Sequence, residues 1–299
     1  MSSILVIGSS NTDLVVQSGR FPKPGETLLG GDLLMFHGGK GANQAVAAAR
    51  LGGTVSFICC VGDDLFGKNA LAHYREEGLD LTGASVVNGR PSGVALILIN
   101  DAGENEIVVA PGANHALTPG HLAGKKALLT KAGILLTQLE TPISVLVELA
   151  VHCRSTGQGL ILNPAPARAI SNDILTGLFS ITPNQTEAEF FTGIPVTGPD
   201  SAMRAAGEFI QMGVRNVVVT LGSQGACFRN QEESFFIPAP VVEVKDTTAA
   251  GDVFNGALAV CLAEGKPWKE AVALAIRAAS RSVAKMGAQS SAPYLHEIT

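Results

Sequence analysis

The sequence predicts an α/β fold in three layers, with a mostly parallel central β-sheet and helices on both of its faces. Short apolar runs alternate with Ala-rich, helix-like runs through most of the 299 residues, as is typical of parallel sheets that are covered on both sides. Glycine contributes 34 residues, about 11% against a usual ~7%. Charged residues make up only 16%, against a usual ~25%. These observations indicate a folded α/β protein and exclude a disordered or fibrous chain.

The predicted core elements follow one another as strands and helices. An apolar strand at residues 4–7 precedes an Ala-rich helix at 41–51 and a second apolar strand at 55–61. The next helix, at residues 65–77, can end at Gly78, because glycine readily adopts the left-handed conformation after a helix. Later elements are a strand at 133–139, a helix at 143–156, a strand at 160–163, a helix at 201–212, a strand at 217–221 and a helix at 251–263.

Two segments interrupt this alternation. Residues 12–36 hold two short strand candidates around a turn at 21–26, and residues 94–110 predict a hairpin around a turn at 101–104. Because neither segment leaves room for a crossover helix, we expect both to form one small antiparallel sheet beside the core. Such a sheet has the position of a lid, although a simple extension of the main sheet would give the same pattern. The chain divides into an α/β core of residues 1–11, 38–91 and 112–299 and a β-sheet lid of residues 12–37 and 92–111.

Charge, hydropathy and cysteine content argue against several classes of protein. A formal net charge of −5 provides no basic excess for binding nucleic acid. No stretch approaches the ~18 apolar residues of a membrane span, and the apolar run at residues 4–7 is too short for a signal peptide. We therefore expect a cytoplasmic protein with no membrane or nucleic-acid partner. Small buried thiols in a reducing compartment are expected at Cys59, Cys60, Cys153, Cys227 and Cys261.

The segment at residues 246–252, with sequence DTTAAGD, leads into the predicted helix at 251–263. Small residues at a helix start leave backbone N–H groups uncovered, and the helix dipole makes this place favourable for a phosphate. Asp252 would lie at the mouth of that anion site, where a carboxylate can take the proton of an attacking hydroxyl during phosphoryl transfer. Alternatively, Thr248 and Asp252 only cap the start of the helix.

A second segment, residues 37–45 with sequence HGGKGANQA, precedes the Ala-rich helix. Its glycines permit close approach of the backbone to a polar ligand. Lys40 and Asn43 add a cation and an amide, which suit sugar hydroxyls or a phosphate. A tight strand-to-helix turn would explain the same glycines.

Other phosphate-binding and metal motifs are not supported. Residues 62–69 (GDDLFGKN) match the spacing of a P-loop but end in Asn where Ser or Thr must hold Mg²⁺. No G-x-G-x-x-G pattern follows the first strand, which argues against a dinucleotide-binding dehydrogenase. The six histidines show no HxH or HExxH arrangement, so a zinc hydrolase is not expected.

The two segments at 37–45 and 246–252 resemble the two signatures of the ribokinase-type, or phosphofructokinase B, carbohydrate kinases. Further matching motifs lie in order at residues 8–13, 22–27, 112–114, 163–167, 182–187, 220–225 and 287–289. The resemblance implies a ribokinase-like three-layer core with a β-sheet lid. It also implies ATP-dependent phosphorylation of a sugar. Within the family, the NPAPA string at 163–167 and the GAQ string at 287–289 are most similar to kinases of free ribose.

The resemblance assigns a role to each matching position. Sugar-binding positions are Asn11, Thr12, Asp13, Gly39, Lys40, Gly41, Ala42, Asn43, Glu140 and Asp252. ATP-binding positions are Asn184, Glu187, Thr220, Leu221, Gly222, Ser223, Gln224, Gly225 and Gly251, with Glu187 organising Mg²⁺ through water. Ala249, Ala250 and Gly251 would form the anion hole, and Asp252 would be the catalytic base.

The resemblance also implies a monovalent cation, K⁺, beside the anion hole. Its site would be formed, mostly through backbone carbonyls, by Asp246, Thr248, Ser282, Lys285, Gly287 and Ser291. Asp246 supplies negative charge that a hard cation on oxygen ligands would offset. Alternatively, Asp246 only ends a strand and accepts hydrogen bonds in a turn.

Three functions follow as hypotheses. The first is a kinase that transfers phosphate from ATP to the 5-hydroxyl of D-ribose, and the second a sibling kinase for fructose, tagatose, deoxyribose or a nucleoside such as pseudouridine. A nucleoside needs a stacking surface, and the lid segments offer few aromatic residues, chiefly Phe21 and Phe36, which favours a free sugar. The third is a non-catalytic sugar-binding regulator, against which the presence of Asp252 and Lys40 argues.

The lid also predicts a homodimer. A small sheet with open edges is an association surface unless its edges are paired or covered, and ribokinase-type proteins commonly pair two lids face to face. The apolar strand residues at 94–99 and 107–109 would supply the contact.

Overall fold

The computed structural model describes residues 3–298, in which strands and helices alternate along most of the chain. The strands are β1 (Ser3–Ile7), β2 (Asn11–Gln17), β3 (Leu33–Gly38), β4 (Thr54–Ile58), β5 (Cys60–Gly62), β6 (Ser85–Val87), β7 (Gly93–Ile99), β8 (Asn105–Ala110), β9 (Ala132–Thr137), β10 (Gly159–Leu162), β11 (Ser180–Ile181), β12 (Asn216–Thr220), β13 (Gly225–Arg229) and β14 (Ser234–Pro238). The helices are α1 (Lys40–Arg50), α2 (Leu65–Glu76), α3 (Pro119–Ala123), α4 (Lys126–Lys131), α5 (Ile143–Thr156), α6 (Asn172–Leu175), α7 (Gln185–Thr192), α8 (Pro199–Gln211), α9 (Ala250–Ala263) and α10 (Trp268–Ser282). Short 3₁₀ helices lie at Gly112–Ala116, Gly222–Gln224, Gln289–Ser291 and Leu295–Glu297.

The main sheet has eight strands in the order β14-β13-β12-β11-β10-β9-β1-β4. Every pair from β4 to β12 is parallel, whereas β12–β13 and β13–β14 are antiparallel. The predicted α/β class with a mostly parallel sheet is therefore confirmed. The sequence analysis did not identify β13 and β14, which follow β12 without a crossover α-helix and extend the sheet in antiparallel pairs.

The two faces of the main sheet bury separate hydrophobic cores. In β1, Ile4 and Val6 pack into one core and Leu5 and Ile7 into the other, as expected when side chains alternate along a strand. Helices α1, α2, α9 and α10 cover the first face, and α3 to α8 cover the second. The result is the predicted three-layer arrangement.

Helices α1 and α9 pack against each other closely, because Gly256 presents no side chain at their crossing. A Cβ atom on Gly256 would lie 2.8 Å from the carbonyl oxygen of Gln44 and 2.9 Å from the Cβ of Ala47. Both helices begin at the carboxyl edge of the sheet, so this crossing sets the start of α1 directly beside the start of α9.

The lid residues form a separate four-stranded sheet in the order β3-β2-β7-β8. The two outer pairs are antiparallel, but the central pair, β2 with β7, is parallel. The expectation of an entirely antiparallel sheet is therefore wrong. Both excursions leave the core at one place, with Asn11 opposite Gly93, and run outward side by side. Their return strands take the outer positions.

The apolar run at residues 55–61 is divided between two sheets. Its first part belongs to β4 and pairs with β1, whereas its last part belongs to β5 and pairs with β6 in a two-stranded sheet. The chain leaves the main sheet at Cys59, which is fully buried between the two strands. Hydropathy alone gives one continuous signal here, because both strands are apolar.

Arg50, at the end of α1, holds the C-terminal segment against the core. Its Nη1 donates to the carbonyl oxygens of Gln289 at 2.7 Å and Ala292 at 2.9 Å. Its Nε and Nη2 form a bidentate ion pair with Glu77 at 2.9 and 2.6 Å. The guanidinium also lies 5.0 Å from the centre of the Tyr294 ring, a cation–π contact. The segment carrying Gln289 is therefore fixed relative to α1 and α2.

Among residues 3–298, no helix combines the length and apolar character needed to cross a membrane. All five cysteines are free and buried, as the sequence predicts.

Candidate active site

The predicted site residues converge at the carboxyl edge of the parallel strands. The segments that carry them begin there: β2 follows β1, α7 follows β11, and the 3₁₀ turn at Gly222–Gln224 follows β12. Helices α1 and α9 bring their first turns to the same place. Open α/β sheets bind ligands at this edge, so the topology alone selects it.

Asp252 lies in the first turn of α9 and is almost fully buried, with 5% of its surface exposed. Its Oδ2 accepts a hydrogen bond from Asn43 Nδ2 at 2.9 Å, and its Oδ1 accepts one from Gln44 Nε2 at 2.9 Å. Burial raises the pKa of this carboxyl, while the Lys40 charge and the two amide donors oppose the rise. The carboxylate is thus held in one orientation and has basicity above that of an exposed aspartate.

Asp252 does not cap its own helix, which contradicts the capping alternative. The cap position of α9 is Ala249, which has a left-handed φ of 59° and provides no side-chain cap, and Thr248 provides none either. Within residues 3–298, the N–H groups of Gly251 and Asp252 donate to no protein acceptor. A Cβ on Gly251 would meet nothing within 4 Å. The start of α9 therefore presents free N–H donors beside open space.

A buried polar network supports this carboxylate from behind. Gln44 Nε2 also donates to Asn163 Oδ1 at 3.0 Å, and Gln44 Oε1 accepts from Gln138 Nε2 at 2.6 Å. On the other side, Gln289 Nε2 donates to Asn43 Oδ1 at 3.1 Å. Buried amides are favourable only when they are satisfied in this way.

Of the amides in this network, Asn43 was predicted as a sugar-binding residue, whereas Gln44, Gln138, Asn163 and Gln289 were not predicted as site residues. Gln44 directly follows Asn43, but consecutive helical residues point about 100° apart, so spacing gave no sign that both reach one carboxylate. Asn163 and Gln289 lie inside motifs of the family resemblance. Their motif membership was the available signal, although it carried no role.

The predicted sugar-binding side chains of β2 do not all lie on the same face of its sheet. Asp13, on β2, pairs in register with Phe36 and shares the sheet face of Asn11, whereas Thr12 alternates to the opposite face. Asn11 Oδ1 accepts from Asn114 Nδ2 at 2.7 Å. Gly38 leaves room for the Asp13 carboxylate, because a Cβ there would lie 2.2 Å from Asp13 Oδ2.

The start of α1 is fixed mainly to Ser9 and Glu140. The N–H groups of Gly41 and Ala42 donate to the hydroxyl and the carbonyl oxygen of Ser9. Glu140 Oε2 accepts the Lys40 N–H at 2.9 Å and also the Ser9 hydroxyl. Gly41 and Ala42 therefore hold the turn in place and have no free N–H for a ligand. The turn itself depends on Gly39, whose φ of 87° favours glycine.

Four carboxylates lie close enough to Lys40 to raise its pKa, those of Asp252, Glu140, Glu187 and Asp13. Burial raises the pKa of Asp13 to about 6, and Glu140 and Asp252 add to the rise. The pKa of Lys40 is raised chiefly by Asp252, against the effect of burial. Burial also raises the pKa of Glu187. Negative charge therefore exceeds positive charge at this edge, so a cationic group or a proton is favoured there.

The predicted nucleotide-binding residues lie beside this cluster. Asn184 caps α7 in a capping box: its Oδ1 accepts the Glu187 N–H at 2.8 Å, and Glu187 accepts the Asn184 N–H at 2.9 Å. Asn184 is bridged to Thr220 at the end of β12. The following turn is exposed at Gly222, Ser223 and Gln224, whereas Leu221 and Gly225 are buried. This edge thus offers exposed backbone next to a capped helix start.

Asp246 joins the two loops of the predicted cation site. Its Oδ1 accepts the Thr248 N–H at 2.9 Å, and its Oδ2 accepts the Gly287 N–H at 2.8 Å. The Lys285 ammonium donates to Glu297 at 2.7 Å. The hydroxyls of Ser282 and Ser291 donate to backbone carbonyls three residues earlier. Within residues 3–298, no group of three or more His, Cys, Asp or Glu side chains is arranged to hold a metal ion. The bonds of Asp246 are also those of the turn alternative.

Comparisons with known proteins show which family this chain resembles. The profile of the pfkB family carbohydrate kinases matches residues 1–295. Ribokinase of Haemophilus influenzae is 43% identical over 296 residues, which cover 99% of this chain and 96% of that protein. A crystal structure of Thermotoga maritima ribokinase superposes with a TM-score of 0.90 at 39% identity, covering 100% of this chain and 98% of that one. The structure of Arabidopsis thaliana ribokinase complexed with ribose and ATP gives a TM-score of 0.93 at 33% identity, covering 99% and 97%.

Asp13 is expected to reduce stability at neutral pH. Its pKa of about 6 in the folded chain exceeds the ordinary 3.8, so the folded state binds more protons between these values and the free energy of unfolding falls as pH rises through them. We expect Asp13→Asn to raise the free energy of unfolding by about 2 kcal/mol at pH 8 and to change it little below the unfolded-state pKa. Urea denaturation of both proteins at pH 8 and at a pH below 3.8 measures these free energies of unfolding.

Asp64 provides a control of opposite sign. Burial would raise its pKa, but hydrogen bonds from Ser92 and from the Gly67 N–H hold the pKa below its ordinary value. Asp64→Asn should therefore lower the free energy of unfolding at pH 8. An Asp13→Asn protein that is no more stable than the native one at pH 8 would contradict the assigned shift.

Proposed function

The chain belongs to the pfkB family of carbohydrate kinases, and on that premise we propose that it transfers the γ-phosphoryl group of ATP to the 5-hydroxyl of D-ribose. The observation that carries the proposal is a buried aspartate, Asp252, held by two amide donors beside unused N–H groups at the start of a helix. Similarity over nearly the full length to ribokinases supports ribose as the acceptor.

Asp252 acts as the general base in this proposal. Asn43 and Gln44 each donate one hydrogen bond to its carboxylate, to Oδ2 and Oδ1, which leaves further lone pairs for the ribose hydroxyl. As the ribose oxygen bonds to the γ-phosphorus, the bond from that phosphorus to the β–γ bridging oxygen breaks and ADP leaves, while the hydroxyl proton passes to the carboxylate. The pKa raised by burial helps the carboxylate take up this proton, and the nearby Lys40 charge keeps it ionised beforehand.

The start of α9 stabilises the transferred phosphoryl group. The free N–H groups of Gly251 and Asp252 and the positive end of the helix dipole attract the charge on its oxygens. The left-handed cap at Ala249 and the helix position of Ala250 orient these donors. Space beside Gly251 accommodates the group without rearrangement of the backbone.

Ribose is bound between the lid and the core. Asp13 and Glu140 accept hydrogen bonds from vicinal hydroxyls, and the free Nδ2 of Asn11 donates to another. ATP binds along the exposed turn after β12 and the start of α7, where Asn184 and Gly222 lie. Mg²⁺, when bound, neutralises charge on the phosphates. Glu187, buried near Lys40 and Asp252 in the same electrostatic field, is the carboxylate placed to organise it through water.

The proposed lid consists of residues 12–37 and 92–111. Its four strands form a sheet separate from the main one, which suits a sheet that closes over the sugar. The buried free thiols agree with a reducing compartment, and we place the protein in the cytoplasm.

An assay of ADP release distinguishes the candidate functions. We expect turnover with ribose above that with deoxyribose, fructose, tagatose, adenosine and pseudouridine. Asp252→Asn should lower kcat by ~10²–10⁴-fold, the usual contribution of a general base, and should still bind ribose by calorimetry. A near-normal kcat in this variant would remove Asp252 from the mechanism. Higher activity on another substrate would favour a sibling kinase. Sugar binding with no ADP release from any sugar would favour a regulator.

A monovalent cation, K⁺, is proposed at the loops joined by Asp246. The fit rests on the negative Asp246 and the surrounding oxygen atoms, with the Lys285 ammonium turned away toward Glu297. A cation there would brace the loop that leads to Ala249 and so act on catalysis without touching substrate.

Replacing K⁺ by Na⁺ at constant ionic strength should therefore lower kcat/KM for ribose. The assay keeps Mg²⁺ and ATP saturating, so that only the monovalent ion changes. Asp246→Asn should reduce the difference between the two salts, because it removes the charge that attracts the cation. Equal rates of the native enzyme in both salts would exclude this role.

A homodimer through the lid is proposed because exposed apolar side chains occur on both faces of its sheet. Leu96 and Val108 are 51% and 68% exposed on one face, and Ile107 and Val109 are 52% and 47% exposed on the other. Several exposed apolar side chains on one small sheet are typical of an association surface, unlike apolar residues scattered singly. In sedimentation at micromolar concentration we expect a dimer for the native protein and a monomer for Val108→Lys. A native monomer would contradict the proposal.

A further inference from the structure

Gln289 lies behind Asn43, on the side away from Asp252, and is 3% exposed. Its Nε2 donates to Asn43 Oδ1 at 3.1 Å and, more weakly at 3.5 Å, to the carbonyl oxygen of Gly38. Its Oε1 is paired with Nε2 of His73 at 2.9 Å. The Tyr74 hydroxyl is a further hydrogen-bond partner of Gln289. Together these neighbours determine the orientation of this amide.

The orientation of the Gln289 amide influences that of the Asn43 amide. Turning the Gln289 amide over would set its oxygen against two other oxygens. With the observed orientation, Asn43 Oδ1 faces a donor, so Asn43 Nδ2 faces the Asp252 carboxylate at 2.9 Å. Because Gln289 offers an acceptor, His73 must carry its proton on Nε2.

The position of His73 is itself fixed. Its ring stacks on that of His37 with centroids 4.2 Å apart and planes 4° from parallel. His73 Nε2 also lies 3.9 Å from Glu77, the partner of Arg50. His37 belongs to β3 of the lid and His73 to α2 of the core, so the contacts run from the base of the lid through the C-terminal segment to Asp252.

We propose that Gln289 is a positioning residue for the base, fixing the Asn43 amide so that its NH₂ group, and not its oxygen, faces Asp252, and that His73 fixes Gln289 in turn. This inference rests on the proposed role of Asp252 as base. Without Gln289, the hydrogen bond to Asp252 alone orients the Asn43 amide, and an amide that turns away from this bond presents its oxygen to the carboxylate. The carboxylate then loses one of its two amide donors.

Such a loss has a signature in the pH profile. The groups whose charge acts on Asp252 and its surroundings are Lys40 of α1, Asp13 of β2, Glu140 after β9 and Glu187 of α7. None of them bonds to Gln289. Since the Asn43 donor lowers the pKa of Asp252, losing it raises that pKa and moves the acidic limb of kcat to higher pH.

The test compares Gln289→Met with the native enzyme under saturating K⁺, Mg²⁺ and ATP. We expect kcat to fall by about three- to tenfold, the effect of one buried hydrogen bond, with KM for ribose little changed. The acidic limb should move up by about half a pH unit. His73→Phe, which keeps a stacked ring but removes the donor, should give the same shift. His73→Gln, whose amide can donate to Gln289, should have a higher kcat than His73→Phe.

Gln158 provides a matched control, because it forms a similar pair with His152 Nε2 at 2.7 Å and lies outside the site. Gln158→Met should lower the melting temperature without moving the pH limb. A native pH limb in both Gln289→Met and His73→Phe would overturn the inference, as would an equal shift in Gln158→Met. If Gln289→Met does not fold, His73→Phe decides alone.

Failure of the underlying function has a different appearance. A native protein that releases no ADP from ribose, or an Asp252→Asn variant of full activity, would contradict the proposed kinase mechanism. If activity requires Asp252 but the acidic limb of kcat is unchanged in the Gln289 and His73 variants, only the positioning role is contradicted.

Discussion

The close crossing of α1 and α9 is the constraint on which the site depends. Gly256 allows the two helices to approach until a Cβ would collide with the backbone at Gln44. The approach places two helix starts side by side at the carboxyl edge of the sheet. Only then can Asn43 and Gln44, at the start of one helix, hold both oxygens of Asp252 at the start of the other. A larger residue at the crossing would press on the backbone of Gln44 and so separate Asp252 from its supports.

This arrangement concentrates negative charge in a place that disfavours it. Asp13, Asp252 and Glu187 all have pKa values raised by burial, and Lys40 is the cation whose own pKa they raise. Burying charge costs free energy unless it is paired. The amides at Asp252 and the start of α9 offset part of the cost. The cost that remains lowers the free energy of unfolding, as is common where activity requires strained or charged groups.

Much of the fold could be predicted because hydrophobic periodicity is local information. The helix expected at 143–156 coincides with α5, and the hairpin expected around 101–104 coincides with β7 and β8. The errors occur where distant parts of the chain decide. Whether β2 meets β7 in parallel depends on where both excursions leave the core, and whether the 55–61 run remains one strand depends on which sheets its two ends join. The base was predicted from its own segment. The amides that hold it come from α1, the end of β10 and the C-terminal segment, and no local pattern brings these together.

Asp252 and Asp13 are held by different parts of the fold. Asp252 is bound through amides to the buried interior, so its position follows the core. Asp13 is carried by β2, and the space for its carboxylate is bounded by Gly38 at the base of the lid. Any movement of the lid sheet therefore moves Asp13 relative to Asp252, while the base stays in place. In the proposed mechanism, the acceptor for sugar hydroxyls lies on the small sheet and the proton acceptor on the core, so closing the sheet over a ligand would leave the Asp252 carboxylate undisturbed. The stacked His37 and His73 rings lie at the one junction where both parts meet the network behind the base, which makes that junction the place where lid position and base geometry are joined.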